Sequence, residues 1–350
     1  MMASLAITSA AALTPVGDSV EQTCTSIRAG LKRFSVHAFF ETSGWDPEWD
    51  RTEPLIAATA PGIDPLREGP DRLVDLLLPV LADLARRAGL ERKDLSETAL
   101  LLALPERCPV TDTWGLEGDL ALRIEARSGL SFARVKVSRE GRPGMLSLLT
   151  EAERLFAARA VKRAIVAGAD SYLTGARLAH LDRQFRIKSP RNADGFIPGE
   201  AASALLVEPA ARLDPRKGPP LALVSALGRG EEPQPSTGDR QSTGKGLTAA
   251  LRPVLAEPAR AVGCDMNGES YRAFEWGVAL SRLGDRLSSL AHLSHPAICH
   301  GDIGAATGGV LIASVIAGFT RGHALSSDAV LWAAADGPLR TAARIARPAG

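Results

Sequence analysis

The chain has 350 residues, of which 45% are hydrophobic and 23% are charged, and this globular composition excludes disordered and fibrous classes. Its 41 basic and 40 acidic residues give a formal net charge of +1, so the excess of positive charge that neutralises nucleic-acid phosphates is missing. No apolar run approaches the roughly 20 residues of a membrane-spanning helix. We therefore expect neither nucleic acid nor a membrane as a partner.

The first part of the chain alternates short apolar segments with amphipathic ones. Residues 5–12 predict a strand, 14–17 a turn, and the following segment a helix capped by Asp18 or Ser19 that ends near Gly30. Apolar periodicity then predicts the next elements. These are a helix over 72–88, strands over 98–104 and 132–137, a helix over 144–160 and a strand over 164–168.

The second part repeats this alternation, which predicts α/β layers and indicates a weak internal duplication. Segments 34–68 and 228–245 break the pattern, and the polar, Gly/Pro-rich composition of the second predicts a mobile surface loop or linker. The predicted strands are 202–207, 221–227, 259–265 and 329–334, and the predicted helices are 246–255, 270–283 and 304–319.

Four cysteines are scattered along the chain, at positions 24, 108, 264 and 299. None belongs to a CxxC pair, so we expect no metal site and no disulfide framework, and we expect reduced thiols in the cytoplasm. The run at 304–309 lacks the P-loop lysine and the Rossmann spacing. Its small residues are instead expected to let a central helix pack closely, and no cofactor is predicted.

Five segments occur in the order found in one enzyme family. They are ALTPVGDSVEQTCTSIRAG (12–30), AIVAGADSYL (164–173), ADGFIPGEAASALLVE (193–208), CDMNGE (264–269) and CHGDIGAATGG (299–309). Together they resemble the β-ketoacyl synthases of the thiolase superfamily, and ADGFIPGEAASALLVE is the most specific match. The resemblance extends over nearly the whole chain.

This resemblance implies a five-layer α-β-α-β-α fold built from two similar halves. We expect an N-terminal half over 1–210, with cap insertions near 34–68 and 171–200, and a C-terminal half over 211–350. The resemblance also implies a dimer formed through the edge strand at 132–137, because an apolar sheet edge needs a partner. The partner is either a second copy or a ketosynthase-like chain.

The family's condensation needs a cysteine at the N-terminus of a buried helix and two histidines that stabilise the enolate and the oxyanion. Here the nucleophile position falls near Pro143, in a segment without cysteine. Asn267 occupies the position of the first histidine, and the register of the second is ambiguous by one residue: it falls on Gly301 if the downstream glycines are aligned, with His300 just before it. These replacements predict that the chain does not carry out the condensation.

The polar residues that remain are expected to converge. The expected pocket residues are Glu200, Cys264, Asn267, Glu269, Cys299, His300 and Asp302. The favoured interpretation is a hydrogen-bonded network that holds loops over a vestigial pocket, and the alternative is the acid/base pair of a different reaction. Arg142, near the start of the predicted helix, is interpreted either as a solvated side chain or as a ligand for an anion such as a phosphate.

The leading functional hypothesis is a catalytically inactive β-ketoacyl synthase homologue that binds a protein or an acyl group. Such a protein acts as a chain-length-factor-like partner of a ketosynthase or as an adaptor, with acyl carrier protein or another bacterial protein as a further partner. The alternative is a divergent 3-oxoacyl-ACP synthase or acyltransferase that uses a relocated cysteine, Cys299 or Cys264.

Overall fold

A computed structural model describes residues 5–42, 52–238 and 240–348. In chain order, its strands are β1 (Leu5–Leu13), β2 (Ser35–Thr42), β3 (Glu53–Ala57), β4 (Thr98–Ala103), β5 (Arg134–Ser138), β6 (Arg163–Ser171), β7 (Glu200–Pro209), β8 (Ala222–Glu231), β9 (Ala259–Cys264), β10 (Leu287–Ser294), β11 (Asp328–Ala334) and β12 (Leu339–Ala346). Its helices are α1 (Val20–Arg28), α2 (Gly69–Ala88), α3 (Arg92–Leu95), α4 (Asp119–Ser128), α5 (Gly144–Ala157), α6 (Gly175–Arg183), α7 (Lys245–Val254), α8 (Ser270–Leu283), α9 (Ala297–His300) and α10 (Thr307–Thr320).

Ten of these strands form one sheet in which the same strand order occurs twice. The order is β10-β9-β11-β12-β8-β1-β7-β6-β4-β5. If the strands are counted from β1 in one half and from β8 in the other, each half reads 3-2-4-5-1, and its fifth strand runs antiparallel to its neighbours. The halves join where β1 pairs with β8 over three residue pairs. The predicted duplication is therefore present in the topology, whereas the proposed boundary at residue 210 stays a prediction.

The apolar cores arrange these elements in five layers. One core lies between the two halves and contains Met145 of α5, Leu311 of α10 and Leu331 of β11. A second core packs α2 and α4 against the outer face of the first half, and a third packs α7 and α8 against the outer face of the second. β4 contributes to two cores, because alternate residues of a strand point to opposite faces. This is the five-layer α-β-α-β-α arrangement that the sequence predicts.

Small residues let the central helices approach closely, as expected for the run at 304–309. A Cβ placed on Gly308 would lie 2.9 Å from the Cβ of Met145. A Cβ on Gly309 would lie 2.3 Å from Ser203 Oγ, and one on Gly168 would lie 2.2 Å from the carbonyl oxygen of Ala305. Only glycine fits at such separations. The glycines therefore set the spacing between α10, α5 and the first half of the sheet.

Most predicted elements are confirmed within a few residues, but one prediction is wrong. Segment 228–245 is not a continuous surface loop, because β8 continues to Glu231 and α7 begins at Lys245. The buried Glu232 accepts hydrogen bonds from the backbone N–H groups of Thr243 and Gly246, at 2.7 and 3.0 Å. The carboxylate fixes this connection against the start of α7.

The other irregular segment, 34–68, contains the β2–β3 hairpin, and its residues 43–51 lie outside the described part. The strand predicted at 132–137 is β5, which lies at one edge of the sheet, as expected. Ser19 rather than Asp18 caps α1, because its side chain accepts a hydrogen bond from Gln22 N. Within the described residues, no helix combines the length and the apolar character needed to span a membrane.

Candidate functional site

Arg142 lies two residues before the first residue of α5, in the segment where the family resemblance places the nucleophile. The side chain is 2% exposed and is neither solvated nor free for an external anion. Its Nη1 donates to Asp302 Oδ2 at 2.6 Å and to Tyr172 Oη at 3.0 Å. Its Nη2 donates to Asp336, and its Nε donates to the carbonyl oxygen of Ala334 at 3.2 Å. A guanidinium clamped by two carboxylates thus occupies the start of the helix.

Two further arginines, which belong to other elements, also bind Asp336. Arg186 follows α6, and its Nη1 donates to Asp336 Oδ2 at 2.7 Å. Arg272 of α8 donates from Nη2 to Asp336 Oδ1 at 2.6 Å and from Nε to Glu269 Oε2 at 3.2 Å. Arg186 also binds both oxygens of Glu269, at 2.7 and 3.0 Å. Asp336 therefore receives three guanidinium groups, and those of Arg142 and Arg186 hold the pKa of its carboxyl below the ordinary range despite burial.

Asn267 links the carboxylates of this network. Its Nδ2 donates to Asp302 Oδ2 at 2.7 Å and to Glu269 Oε2 at 3.0 Å. Asp302 is fixed in turn, since its Oδ1 accepts the N–H of Gly304 at 2.9 Å. The structure therefore brings together three of the expected pocket residues. With Asp265, which follows β9, they complete what we call the charged cluster, namely Arg142, Asp265, Asn267, Glu269, Arg186, Arg272, Asp302 and Asp336.

Charge balance in the cluster depends on the protonation of Asp265 and of the neighbouring Glu106, whose carboxylate accepts a hydrogen bond from Asp336 N. Burial raises the pKa of Asp265 to about 7, and the Oδ1 atom of this residue is buried without a hydrogen-bond partner among the described residues. Burial and the neighbouring Asp336 raise the pKa of Glu106 to about 7 as well. With Asp265 and Glu106 protonated, three guanidiniums face three carboxylates, those of Glu269, Asp302 and Asp336. The cluster is then electrically neutral.

Little space remains beneath the cluster. A cavity of about 10 Å³ is lined by Asp265, His300 and Asp302, among others. That volume corresponds to about one water molecule. Next to the cluster lies a larger cavity of about 510 Å³, whose wall includes Glu106, Cys108, Arg186 and Asp336. Any ligand at this site has to occupy the larger cavity, because the smaller one cannot hold an acyl chain.

The second-histidine position cannot accept a histidine in this backbone conformation. Gly301 has φ of +68°, and a Cβ there would lie 2.6 Å from the carbonyl oxygen of Ile197. His300 is 2% exposed, and its Nδ1 lies 2.8 Å from the carbonyl oxygen of Gly301. Burial lowers the pKa of this imidazole to about 4, so the ring is neutral near pH 7.

The thiols of the two cysteines considered as relocated nucleophiles take no part in the hydrogen bonds described for the charged cluster. Cys264 is the last residue of β9 and packs in the outer core of the second half, and burial raises the pKa of its thiol. Cys299 Sγ lies 3.9 Å from the carbonyl oxygen of Ile27, and burial raises the pKa of this thiol too. A neutral, buried thiol is a poor nucleophile.

Glu200 does not converge with the other pocket residues, contrary to expectation. Its Oε2 accepts from Arg72 Nε at 2.6 Å and from Ser171 Oγ at 2.8 Å, and its Oε1 accepts from Arg72 Nη2 at 3.0 Å and from Ala60 N at 3.2 Å. Both partners of this ion pair are at most 2% exposed. The carboxylate anchors α2 to β7 and has a structural role.

Sequence reasoning missed most of the cluster's charged members. Asp265, Arg186, Arg272 and Asp336 come from four separate loops or helices, and no short motif joins them. One signal was available, since Glu106, Asp265 and Asp336 all follow the carboxyl ends of apolar parallel strands, where ligand sites of α/β sheets occur. Among the described residues, no three His, Cys, Asp or Glu side chains are grouped so that they could hold a metal ion.

Solved structures with this architecture include ketosynthases. An oxazolomycin ketosynthase domain from Streptomyces albus JA3453 superposes with a TM-score of 0.77 at 14% identity, over 99% of this chain and 76% of that chain. The chain has the ketosynthase fold. No protein-family model and no curated protein matches the sequence.

Two other structures with the ketosynthase fold come from assemblies. The ishigamide ketosynthase/chain length factor matches with a TM-score of 0.71 at 20% identity, over 99% of this chain and 100% of that chain. A type II polyketide ketosynthase, in complex with its acyl-carrier protein and bound to the hexaketide, matches with a TM-score of 0.78 at 11% identity, over 100% of both chains. The thiolase-like architecture of the chain is thus established, although its sequence has diverged far from these structures.

Proposed function

We propose that this protein has the ketosynthase fold without the condensing activity and acts by binding a ketosynthase-like chain, in the manner of a chain-length factor. The observation that carries the proposal is the position of Arg142. At the start of α5, where condensation requires a thiolate, a buried guanidinium is held by Asp302 and Asp336. Such a group cannot form a thioester, and the cavity beneath its ion pairs, of about 10 Å³, is too small for an acyl chain.

The rest of the site supports the same proposal. Asn267 can donate a hydrogen bond but cannot transfer a proton as an imidazole does, and its amide is engaged by Glu269 and Asp302. Gly301 has no room for a side chain. The four cysteines are free thiols, and none lies at the start of α5.

The proposed partner surface is the edge strand β5. It lies at the end of the ten-stranded sheet, and Val135 is 41% exposed there. An edge with unpaired backbone groups and an exposed apolar side chain favours pairing with another strand. The same fold is found in a ketosynthase/chain length factor structure and in a ketosynthase bound to acyl-carrier protein. We therefore propose a heterodimer through β5, with acyl carrier protein as a further partner of the assembly.

Intact mass spectrometry tests the missing activity. The protein is incubated with acyl-CoA and acyl-carrier-protein thioesters beside an active ketosynthase as a positive control. We expect no stable acyl adduct on this chain. An adduct that disappears in Cys299→Ser or Cys264→Ser would contradict the proposal and support the relocated-cysteine enzyme. The Cys108→Ser variant belongs in the set, because Cys108 is half-buried and lines the 510 Å³ cavity.

Sedimentation of the protein, alone and mixed with the ketosynthase of its own host, tests the partner. We expect a 1:1 complex that is weakened at least tenfold by Val135→Lys on β5. The matched control is Leu122→Lys on α4, which changes a side chain that is 64% exposed on a different element and should leave the complex intact. A homodimer that excludes the ketosynthase would refute the heterodimer, and a complex insensitive to Val135→Lys would refute the surface.

A further inference from the structure

A third cavity, of about 430 Å³, lies beside α10 and is separate from the charged cluster; we call it the α10 cavity. Its walls come from α1, α9 and α10, from the edge strand β10, and from β11. None of the cluster's charged residues lines it. The volume falls within the range of small-molecule sites, roughly 300–1,000 Å³.

The interior of the α10 cavity is apolar. Phe319 and Val315 of α10 line it, together with the thiols of Cys24 and Cys299. Burial raises the pKa of Cys24 to about 11 and also raises that of Cys299, so both thiols are neutral near pH 7 and behave as small hydrophobic groups. An aliphatic chain can make apolar contacts with such a wall.

The rim of the α10 cavity combines exposed apolar side chains with an available cation. Leu325 and Ile298 line the cavity and are 60% and 51% exposed. Arg28, in the last turn of α1, also lines it and forms no ion pair with any described residue. Asp328, the acidic residue of the wall, is already bound by Arg344 at 2.6 Å. The rim therefore offers uncompensated positive charge.

Two imidazoles add unused hydrogen-bonding atoms. His295 and His323 both line the cavity, and the Nδ1 atom of each is buried without a hydrogen-bond partner among the described residues. Burial and the neighbouring guanidiniums of Arg28 and Arg321 lower the pKa of His323, so this ring is neutral near pH 7. A buried polar atom without a partner is costly unless a ligand satisfies it.

We propose that the α10 cavity binds a medium-chain aliphatic carboxylic acid, with the alkyl chain against Phe319 and Val315 and the carboxylate at Arg28 and the histidines of the wall. The apolar interior selects the chain, and the unpaired guanidinium selects a single negative charge over a neutral or cationic head. This inference is independent of the proposed partner role, because it uses neither β5 nor the charged cluster.

Isothermal titration calorimetry of the full chain, with decanoate, decanol and decylammonium below their micelle concentrations, tests the proposal. We expect decanoate to bind with 1:1 stoichiometry and more tightly than decanol, and decylammonium to bind most weakly. Arg28→Gln should weaken decanoate binding about three- to fivefold, the range of an exposed ion pair, and leave decanol unchanged. The matched control is Arg252→Gln, which alters an exposed arginine in the last turn of α7.

Variants that fill the cavity distinguish decanoate binding inside the α10 cavity from adsorption to the protein surface. Ala317→Phe, and independently Ser314→Leu one turn earlier, should weaken decanoate binding at least tenfold, because both positions line the cavity. Circular dichroism and denaturant unfolding confirm that each variant is folded. The proposal is overturned if native protein does not bind decanoate at millimolar concentration, if decanol or decylammonium binds as tightly, or if both folded cavity-filling variants still bind.

Discussion

The charged cluster and the α10 cavity are two buried regions that differ in what fills them. In the cluster, three guanidiniums and their carboxylates pack around the start of α5 and leave a cavity of about 10 Å³ beneath them, with the 510 Å³ cavity to one side. In the α10 cavity, apolar side chains enclose about 430 Å³ and a rim arginine lacks an ion-pair partner among the described residues. In the first region the guanidiniums are paired with carboxylates of the same cluster, whereas the second region has a guanidinium that is unpaired within the described part of the chain and an empty volume that a ligand can occupy.

This difference teaches that a buried network of charged groups and an apolar cavity respond differently to substitution. A buried ion-pair network contributes little net stability over a well-packed apolar core, but it is intolerant of losing one member. A lined cavity has the opposite property, since its walls tolerate substitution and its empty volume is available to a ligand. Substitutions in the two regions should therefore differ strongly in their cost to the free energy of unfolding.

Arg142→Met should have the largest effect. The substitution leaves the buried Asp302 without its guanidinium partner, and removing one partner of a buried ion pair costs about 3–5 kcal/mol. Denaturant unfolding followed by circular dichroism measures the loss. The control is Arg107→Met, which breaks surface pairs with Glu117 and Asp112 and should cost about 0–1 kcal/mol. Equal losses of unfolding free energy in the two variants would contradict the expected difference between the buried and the exposed ion pairs.

Asp265→Asn should change how stability depends on pH. The folded-state pKa of Asp265 is raised to about 7, so its carboxyl keeps a proton between about pH 4 and 7 that the unfolded chain releases. This group's contribution to folding stability therefore falls as pH rises through that window and is constant above it. At 1.36 kcal/mol per pH unit, the difference between native and variant should change by up to roughly 4 kcal/mol. If the free energies of unfolding of the native protein and the variant changed in parallel from pH 4 to 8, the claim that Asp265 is protonated in the folded protein would be refuted.

Gly309→Ala should destabilise the protein by about 1–3 kcal/mol, the usual cost of overpacking a core. The added Cβ would lie 2.3 Å from Ser203 Oγ and 2.8 Å from Met145 Cε, on the face of α10 that packs between the halves. Thermal unfolding measures the loss. Relief of the effect by Ser203→Ala would confirm its steric origin, whereas a neutral variant would show that the central layer is looser than its geometry implies.

Ala317→Phe, on the cavity side of the same helix, should have the smallest effect, within about 1 kcal/mol. The new ring enters the empty volume of the α10 cavity and contacts its apolar wall instead of displacing packed atoms. Unfolding under the conditions used for Gly309→Ala gives a direct comparison of two faces of one helix. A larger loss than for Gly309→Ala would show that the cavity side is packed more tightly than its volume indicates.

Much of the fold is predictable from apolar periodicity, because strands such as β4 are buried on both faces and contain a continuous apolar run. β12 was not predicted, and its sequence, LRTAARIA, shows why. Arg340 interrupts its apolar pattern yet is fully buried, because its Nε donates to Glu275 of α8 at 2.8 Å. A buried arginine is tolerable only beside such a partner, and the sequence does not reveal a partner 65 positions away.

The candidate site was predictable only in part, for the same reason. Motif order places Asn267, Glu269 and Asp302 near one another, and their side chains share hydrogen bonds. Glu200 does not lie with them as expected, because its carboxylate binds Arg72 of α2, a helix that the motif does not include. The burial of Arg142 depends on carboxylates 160 and 194 positions away, so its role emerges only from the folded chain.

The position of β1 has a consequence for synthesis. This strand lies in the middle of the sheet and pairs with β7 and β8, with Leu5 opposite Pro209 on one side and Val224 on the other, so about 200 residues separate it from both partners. Both partner strands must therefore be synthesised before β1 can complete its pairing. Such long-range pairing slows folding and leaves an apolar segment open to aggregation in the meantime, so recovery of native protein should improve with chaperones that shield β1.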